Sequence, residues 1–480
     1  MQKKFITNLG LLLFLNFLIK PFWLFGIDRT VQNVVSAEEY GAYFTLFNFS
    51  ILFNILLDLG ITNSNNRNIS QNKELLTKYF SGIVVFKFLL AIIYLLITFV
   101  VGYVVGYDSN RFYMLLFLSI NQFLISFIQY LRSNIAGLQL FALNSLLSVL
   151  DRTLIIVFCA VLLWGNVFDA KFELMHFVYA QTLAYVMASI IVFGIVLSKT
   201  KQFKFQLDKS FSLLILKQTY PYAILVLAMT FYYRIDAVML DRMLDDGEVQ
   251  AAIYAQAYRL MDAATQIGVL FATLLLPMFA NMIKNNKKVV DLVKLSFSLI
   301  FVPSVIIAVA CFFFSDEIMS SLYKGSTDAA QVLGVLMFCF VAIATTYIFG
   351  TLLTANGSLR TLNKLAIGGM VLNVVLNLIL IPTYKAEGSA VASLITQVLI
   401  VIIQIIIVKK VFRFNVNYKF IGIIILYVIL IIGLLKGIQI YVSVFVVQFL
   451  LFVLISGALG LVMRIINLKK MVQIFTNKEL

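Results

Sequence analysis

The stretch FSGIVVFKFLLAIIYLLITFVVGYVV, residues 80–105, is apolar almost throughout and carries one charge, Lys87. A helix needs about 20 consecutive apolar residues to cross the hydrocarbon of a bilayer, and this run exceeds that. Similar runs flank it on both sides. Before it they lie near 8–27 and 41–63. After it they lie near 112–136, 143–165, 174–198, 213–240, 250–282, 290–314, 328–355, 362–382, 388–409, 419–436 and 440–466. The chain has 480 residues, 62% hydrophobic and 12% charged. Soluble domains run at about 45–50% apolar and about 25% charged, so lipid has to be the solvent here. The fold expected is all-α, a polytopic membrane helix bundle of about 14 transmembrane helices. Every loop between runs is short, which leaves no room for a soluble domain.

Loop charge tests the span assignment. The chain carries 37 Lys+Arg against 22 Asp+Glu, a net charge of +15. Cytoplasmic loops are enriched in Lys and Arg. With the N-terminus placed inside, the inner segments 64–79, 199–217, 283–294 and 409–419 are basic, and the outer segments 28–40, 241–249 and 315–328 are acidic. A missed or invented span would put later basic loops on the wrong side. The excess of basic charge therefore reports topology and predicts no nucleic-acid partner. Both termini are expected on the cytoplasmic side, with the opening Met1-Gln-Lys-Lys4 leading into an uncleaved first helix.

The chain also repeats itself. The first span ends at Leu24-Phe-Gly-Ile-Asp28 and the seventh reaches Tyr233-Arg-Ile-Asp236. An acidic outer loop follows each, with Glu38-Glu39 or Asp245-Asp246, and then a helix opens at Tyr40-Gly-Ala-Tyr43 or Ala252-Ile-Tyr254. An offset of six spans predicts two six-helix lobes around a central cavity, plus two extra helices. The lobes would be 1–200 and 201–410, with 411–480 holding the last two helices and the tail.

Ionisable side chains inside spans are costly and mark function or pairing. Lys20 lies about 12 residues into the first span, roughly 18 Å deep, and has no partner nearby in sequence. Arg152, Arg234 and Arg259 are further cations at depth. These four are the candidates for binding an anionic head group, since a guanidinium forks onto phosphate oxygens and an ammonium acts as a point charge. Asp58 and Lys87 fall at similar depth on consecutive spans. Asp58, Lys87, Asp236 and Asp262 are candidates for ion coupling or for charge pairs, with Asp262 three residues from Arg259 on one helix face. Asn48, Asn54, Gln122 and Asn373 could bond sugars or neighbouring helices. Pro221, Pro277, Pro303 and Pro382 mark candidate kinks. Cys159, Cys311 and Cys339 sit in apolar runs and are expected to pack as small hydrophobes. With the single histidine, His176, they predict no metal site.

Several motifs carry a family resemblance. They are Glu38-Glu-Tyr-Gly-Ala-Tyr43, Leu57-Asp-Leu-Gly-Ile61, Ile235-Asp236, Tyr254-Ala-Gln-Ala-Tyr-Arg-Leu260, Leu276-Pro277 and Thr354-Ala-Asn-Gly-Ser-Leu-Arg360. The strongest runs from Leu372-Asn-Val-Val-Leu-Asn377 through Ile381-Pro382 to Glu387-Gly-Ser-Ala390. In this order and spacing, over roughly residues 5–410, the chain resembles the polysaccharide (O-antigen type) flippases of the multidrug/oligosaccharidyl-lipid/polysaccharide (MOP) exporter superfamily. One departure is Lys385-Ala386, where the family often has a Gly-Ala pair.

The resemblance implies a non-enzymatic flippase, acting by alternating access in the bacterial cytoplasmic membrane. Its cargo would be an undecaprenyl-diphosphate-linked oligosaccharide for O-antigen, capsule or exopolysaccharide assembly. It also implies a monomer in contact with membrane lipid, a polysaccharide polymerase and a chain-length regulator as partners, and no cofactor beyond a coupling gradient of Na+ or H+. The alternative is an ion-coupled multidrug or metabolite antiporter of the same superfamily. A polymerase or ligase would need a large outer loop, which is absent. No G-x-x-x-x-G-K-[ST] phosphate loop occurs either.

Overall fold

The computed structural model describes residues 14–16, 18–165, 172–200, 209–324, 327–414 and 417–466. Among them every regular element is helical. Among the described residues eleven helices are long and apolar enough to cross a membrane, or twelve when the bent pair Ala37–Leu52 and Asn54–Gln71 counts as one span. The longest, Leu359–Phe412, has 54 residues and a non-helical break at Lys385. Each side of that break exceeds the roughly 20 residues of one crossing. The span expected near 8–27 lies partly outside the described residues. The chain is an all-α, multi-pass membrane protein.

It divides into two compact units. The first takes in residues up to Asp241 together with Asp246–Ala252, and the second takes in Arg242–Asp245 and Ile253 onward. In the first unit, a π-helical segment Phe22–Asp28 leads into α1 (Arg29–Val34). There follow α2 (Ala37–Leu52), α3 (Ile61–Gln71), α4 (Glu74–Val105), α5 (Ser109–Gly137), α6 (Phe141–Leu147), α7 (Leu150–Trp164) and α8 (Leu174–Leu197). Most of α9 (Lys209–Met243) also groups here. The second unit holds α10 (Gly247–Lys284) from Ile253 on, then α11 (Val290–Phe313), α12 (Ser315–Leu322), α13 (Thr327–Ala355), α14 (Leu359–Phe412), α15 (Tyr418–Tyr441) and α16 (Phe445–Val462).

Local chemistry fixes where helices begin and end. Ser36 and Glu39 close a reciprocal capping box at the start of α2, at 3.2 and 3.3 Å. Gly106 ends α4 at φ 83, a left-handed position that glycine adopts without a Cβ clash. Two residues later Asp108 caps α5 by accepting from the Arg111 N–H at 2.8 Å. Pro277 and Pro303 lie within α10 and α11. Pro382 lies just before the Lys385 break. The Pro221 side chain falls outside the described residues.

Each unit has its own apolar core. In the first, Phe80, Tyr130, Leu131, Ile135 and Val192 pack together. In the second, Val302, Val309, Tyr427, Ile431 and Phe452 do so, and the Tyr427 hydroxyl donates to the Ser456 carbonyl at 3.0 Å. Large apolar side chains also cover the outside of the helices, with Val104 79% and Tyr441 89% exposed. Such a surface is stable against lipid. Cys159, Cys311 and Cys339 are free thiols, all buried.

Candidate substrate-binding and coupling residues

Lys20 and Arg152 come from neighbouring helices of the first unit. Asn16 donates to Ser148 Oγ at 3.2 Å. A little further along both chains, the Arg152 guanidinium lies over the Trp23 ring, 5.4 Å from its centroid. The two segments therefore run parallel, and Lys20 falls between the two contacts, at the level of 148–152. Lys20 is exposed and Arg152 half-buried. Trp23 is also stacked on Phe177, centroids 5.8 Å apart and planes 8° from parallel. The indole is thus a rigid platform that orients one cation by cation–π attraction. Nearby in sequence, Arg132 Nε donates to Asn144 Oδ1 at 3.3 Å, and Asp151 acts on Arg132 electrostatically.

Arg234, on α9, is half-buried and donates to Asn48 Oδ1 at 3.4 Å. Asn48 in turn donates to the Phe44 carbonyl at 2.8 Å. Asp236, two residues on, is 1% exposed. Arg259 and Asp262 belong to the second unit and are both half-buried. Lys20, Arg152 and Arg234 thus lie in the first unit and Arg259 in the second.

Asp58 and Lys87 meet at 2.6 Å. The reason lies in the backbone. Residues 54–57 form a 3-10 turn, Leu59 and Gly60 take φ of 46 and 81, and α3 restarts at Ile61. The helix pair bends by 51°. At the break the Ile61 N–H bonds to Asp58 O, 2.8 Å away, so the Leu57 carbonyl loses the donor a continuous helix would give it. Lys87 Nζ replaces that donor at 2.9 Å, and also donates to Asp58 and, at 3.0 Å, to Ser126 Oγ. An ammonium has three protons, and all three have acceptors. Asp58 also accepts from the Thr62 N–H and hydroxyl. The pair holds the bend in place.

Among the polar residues, Asn54 donates to Gln122 at 2.8 Å and Asn373 to Ser393 at 3.4 Å, both bonds between helical segments. Two features escaped the sequence reading, Trp23 and Arg111. Trp23 hides in an aromatic-rich span. Arg111, in the first turn of α5, pairs with Asp241 and Glu248. Asp28, fully buried, accepts from Tyr40 and Gln32. No group of three His, Cys, Asp or Glu that could hold a metal occurs among the described residues.

Comparison with solved structures places the fold. The lipid II flippase MurJ in an inward closed conformation matches with a TM-score of 0.75 at 16% identity, over 96% of this chain and 99% of that one. An inward-facing multidrug resistance MATE family transporter of the MOP superfamily matches at 0.63 and 16%, over 85% and 98%. The Vibrio cholerae MATE transporter VcmN in the bent form matches at 0.54 and 16%, over 85% and 98%. These likenesses establish a MOP-type transporter fold. A search of curated proteins finds no match. The sequence-family model described as polysaccharide biosynthesis protein matches residues 25–283. That match covers more than half of the 480 residues, and the chain therefore belongs to the polysaccharide biosynthesis protein family.

Proposed function

We propose that this protein is a flippase that moves an undecaprenyl-diphosphate-linked oligosaccharide across the cytoplasmic membrane by alternating access. The observation that carries the reading is the pairing in level of Lys20 and Arg152 on parallel helices, with Arg152 oriented by Trp23. Two cations at one depth suit a diphosphate with two charged centres, and in a medium of low dielectric they attract it far more strongly than in water. Arg234 and Arg259 extend the cationic set, and amide side chains such as Asn48 suit hydroxyl-rich sugars. Asp58 and Lys87 act as a structural pair in this reading, which leaves Asp236 and Asp262 as the coupling carboxylates for Na+ or H+. The alternating loop charge supports cytoplasmic termini. The role is transport and not catalysis, with a polymerase acting on the product at the outer face.

Deletion followed by extraction of lipid-linked saccharides tests the reading. Loss of the protein should accumulate single repeat units on the cytoplasmic leaflet. Complementation with Lys20→Ala/Arg152→Ala should lower export at least about tenfold at normal protein level, as expected when charged bonds to a bound phosphate are lost. Single units displayed outside would point to a polymerase instead. Altered drug sensitivity with intact surface polymer would point to an antiporter.

A further inference from the structure

Within the first unit, α2 and its continuation meet α9 and, at the far end, the first turn of α10 along one seam. Phe53 packs edge-on against Phe231, centroids 6.1 Å apart. Arg234 donates to Asn48 at 3.4 Å, and Thr45 Oγ1 donates to the Ala237 carbonyl at 3.3 Å. At the far end Gly41 lies so close to the chain that an added Cβ would overlap the Glu248 carbonyl. The numbers fall on one side as they rise on the other, so the helices run antiparallel. Gly41, Thr45 and Asn48 follow at steps of four and three residues, which keeps these contacts on one face of α2.

The seam ends in an ion cluster. Arg111 Nη1 and Nη2 hold the two oxygens of Asp241 at 2.6 and 2.9 Å, and Nη2 also donates to Glu248. The Asp241 carboxylate is fully buried, and the Arg111 side chain is 17% exposed. The guanidinium also lies over Tyr107, 5.7 Å from its centroid. Stability alone does not ask for charge here, because well-packed apolar groups do as well as a buried ion pair. Charge does give a contact with two favourable states. Forked arginine–carboxylate bonds are strong when dry, and both partners are well solvated once water enters. An apolar seam would have no such open state. The cluster also lies at the end of the helices that the loop charges assign to the outside.

We propose that Arg111, Asp241 and Glu248 form a latch that holds the α2–α9 seam shut at the outer face, and that its release opens a water path to Arg234. The proposal rests on the transport reading above and adds its regulation. Arg234 is itself a rung of the seam. Its bond to Asn48 persists while the latch holds, and parting of the helices turns its guanidinium over to cargo. The latch thereby ties exposure to the outside to a change in partner at one of the binding cations.

The test uses the full chain with Cys159, Cys311 and Cys339 replaced by Ala and the fully buried Thr45 changed to Cys as a reporter. A membrane-impermeant maleimide is added to intact cells and the labelling rate is read. The latched protein should label slowly. Arg111→Gln and Asp241→Asn should each speed labelling about tenfold, the factor that about 1.4 kcal/mol produces. Unchanged rates in both variants would overturn the latch. A second reporter, Val178→Cys, buried in α8, should stay unlabelled. If it labels too, the exchanged variant Arg111→Asp/Asp241→Arg decides. A return to slow Thr45→Cys labelling supports the latch, and persistent fast labelling refutes it. Labelling needs no cargo, so a failed export assay alongside positive labelling removes only the flippase reading. Normal export with unchanged labelling removes only the latch.

Discussion

Two helix breaks, one in each unit, answer the same problem by different means. At Asp58 the chain uses charge. The bend at Leu59–Gly60 strands a carbonyl, and the buried Lys87 ammonium supplies the missing donor while its own charge is balanced by Asp58. At Lys385 the chain uses close packing. The backbone there takes φ 50 and ψ −131, and Gly388 lies so near the preceding turn that an added Cβ would sit 2.5 Å from the Leu380 carbonyl. Both breaks fall inside motifs that carry the family resemblance. The first resists change in charge, and the second resists change in volume.

The largest expected effect tests the charged break. Lys87→Met removes the ammonium and leaves Asp58 and the Leu57 carbonyl without it. Losing one partner of a buried pair costs about 3–5 kcal/mol. Asp58 is 24% exposed, which places the loss near the lower end. The measurement is thermal unfolding in detergent, and Lys87→Met/Asp58→Asn should recover part of the loss. Equal melting of Lys87→Met and wild type would show that the bend needs no charge. Next, Gly388→Val should cost about 1–3 kcal/mol by overpacking, with no rescue from any change of charge nearby. The smallest effect has the opposite sign. Lys385 holds a backbone conformation that glycine adopts freely, and strained positions of this kind cost about 1–3 kcal/mol. Lys385→Gly should raise the melting point by the equivalent of about 1 kcal/mol, since glycine's greater freedom in the unfolded chain offsets part of the gain. A fall in melting point would show that the Lys385 side chain outweighs its backbone.

The contrast also shows why some of the molecule could be read from sequence and some could not. Spans declare themselves through runs such as 80–105, because lipid demands about 20 apolar residues whatever the tertiary context. Asp58 and Lys87 could be matched in depth before any coordinates, since each sits a countable number of residues from a basic loop. That the lysine would cap a stranded carbonyl was hidden, because hydropathy carries no record of φ at Leu59 and Gly60. Arg111 was invisible for another reason. Its partner Asp241 lies 130 residues away, and each looks like ordinary loop charge alone. The motif departure at Lys385 was visible as letters, but its meaning needed the backbone angle. Trp23 gave no sign of its role, because cation–π pairing depends on a helix neighbour far along the chain.

The indole in contact with both Arg152 and Phe177 has one more consequence. The chain contains two tryptophans, and the other, Trp164, is 55% exposed on a different helix. Replacing Trp164 by Phe leaves a single indole, which excitation to the red of tyrosine selects, held against the very cation proposed to grip the cargo. Ultraviolet emission from an otherwise unmodified protein then becomes a direct optical readout of whether that arginine is at rest on its ring or has moved away.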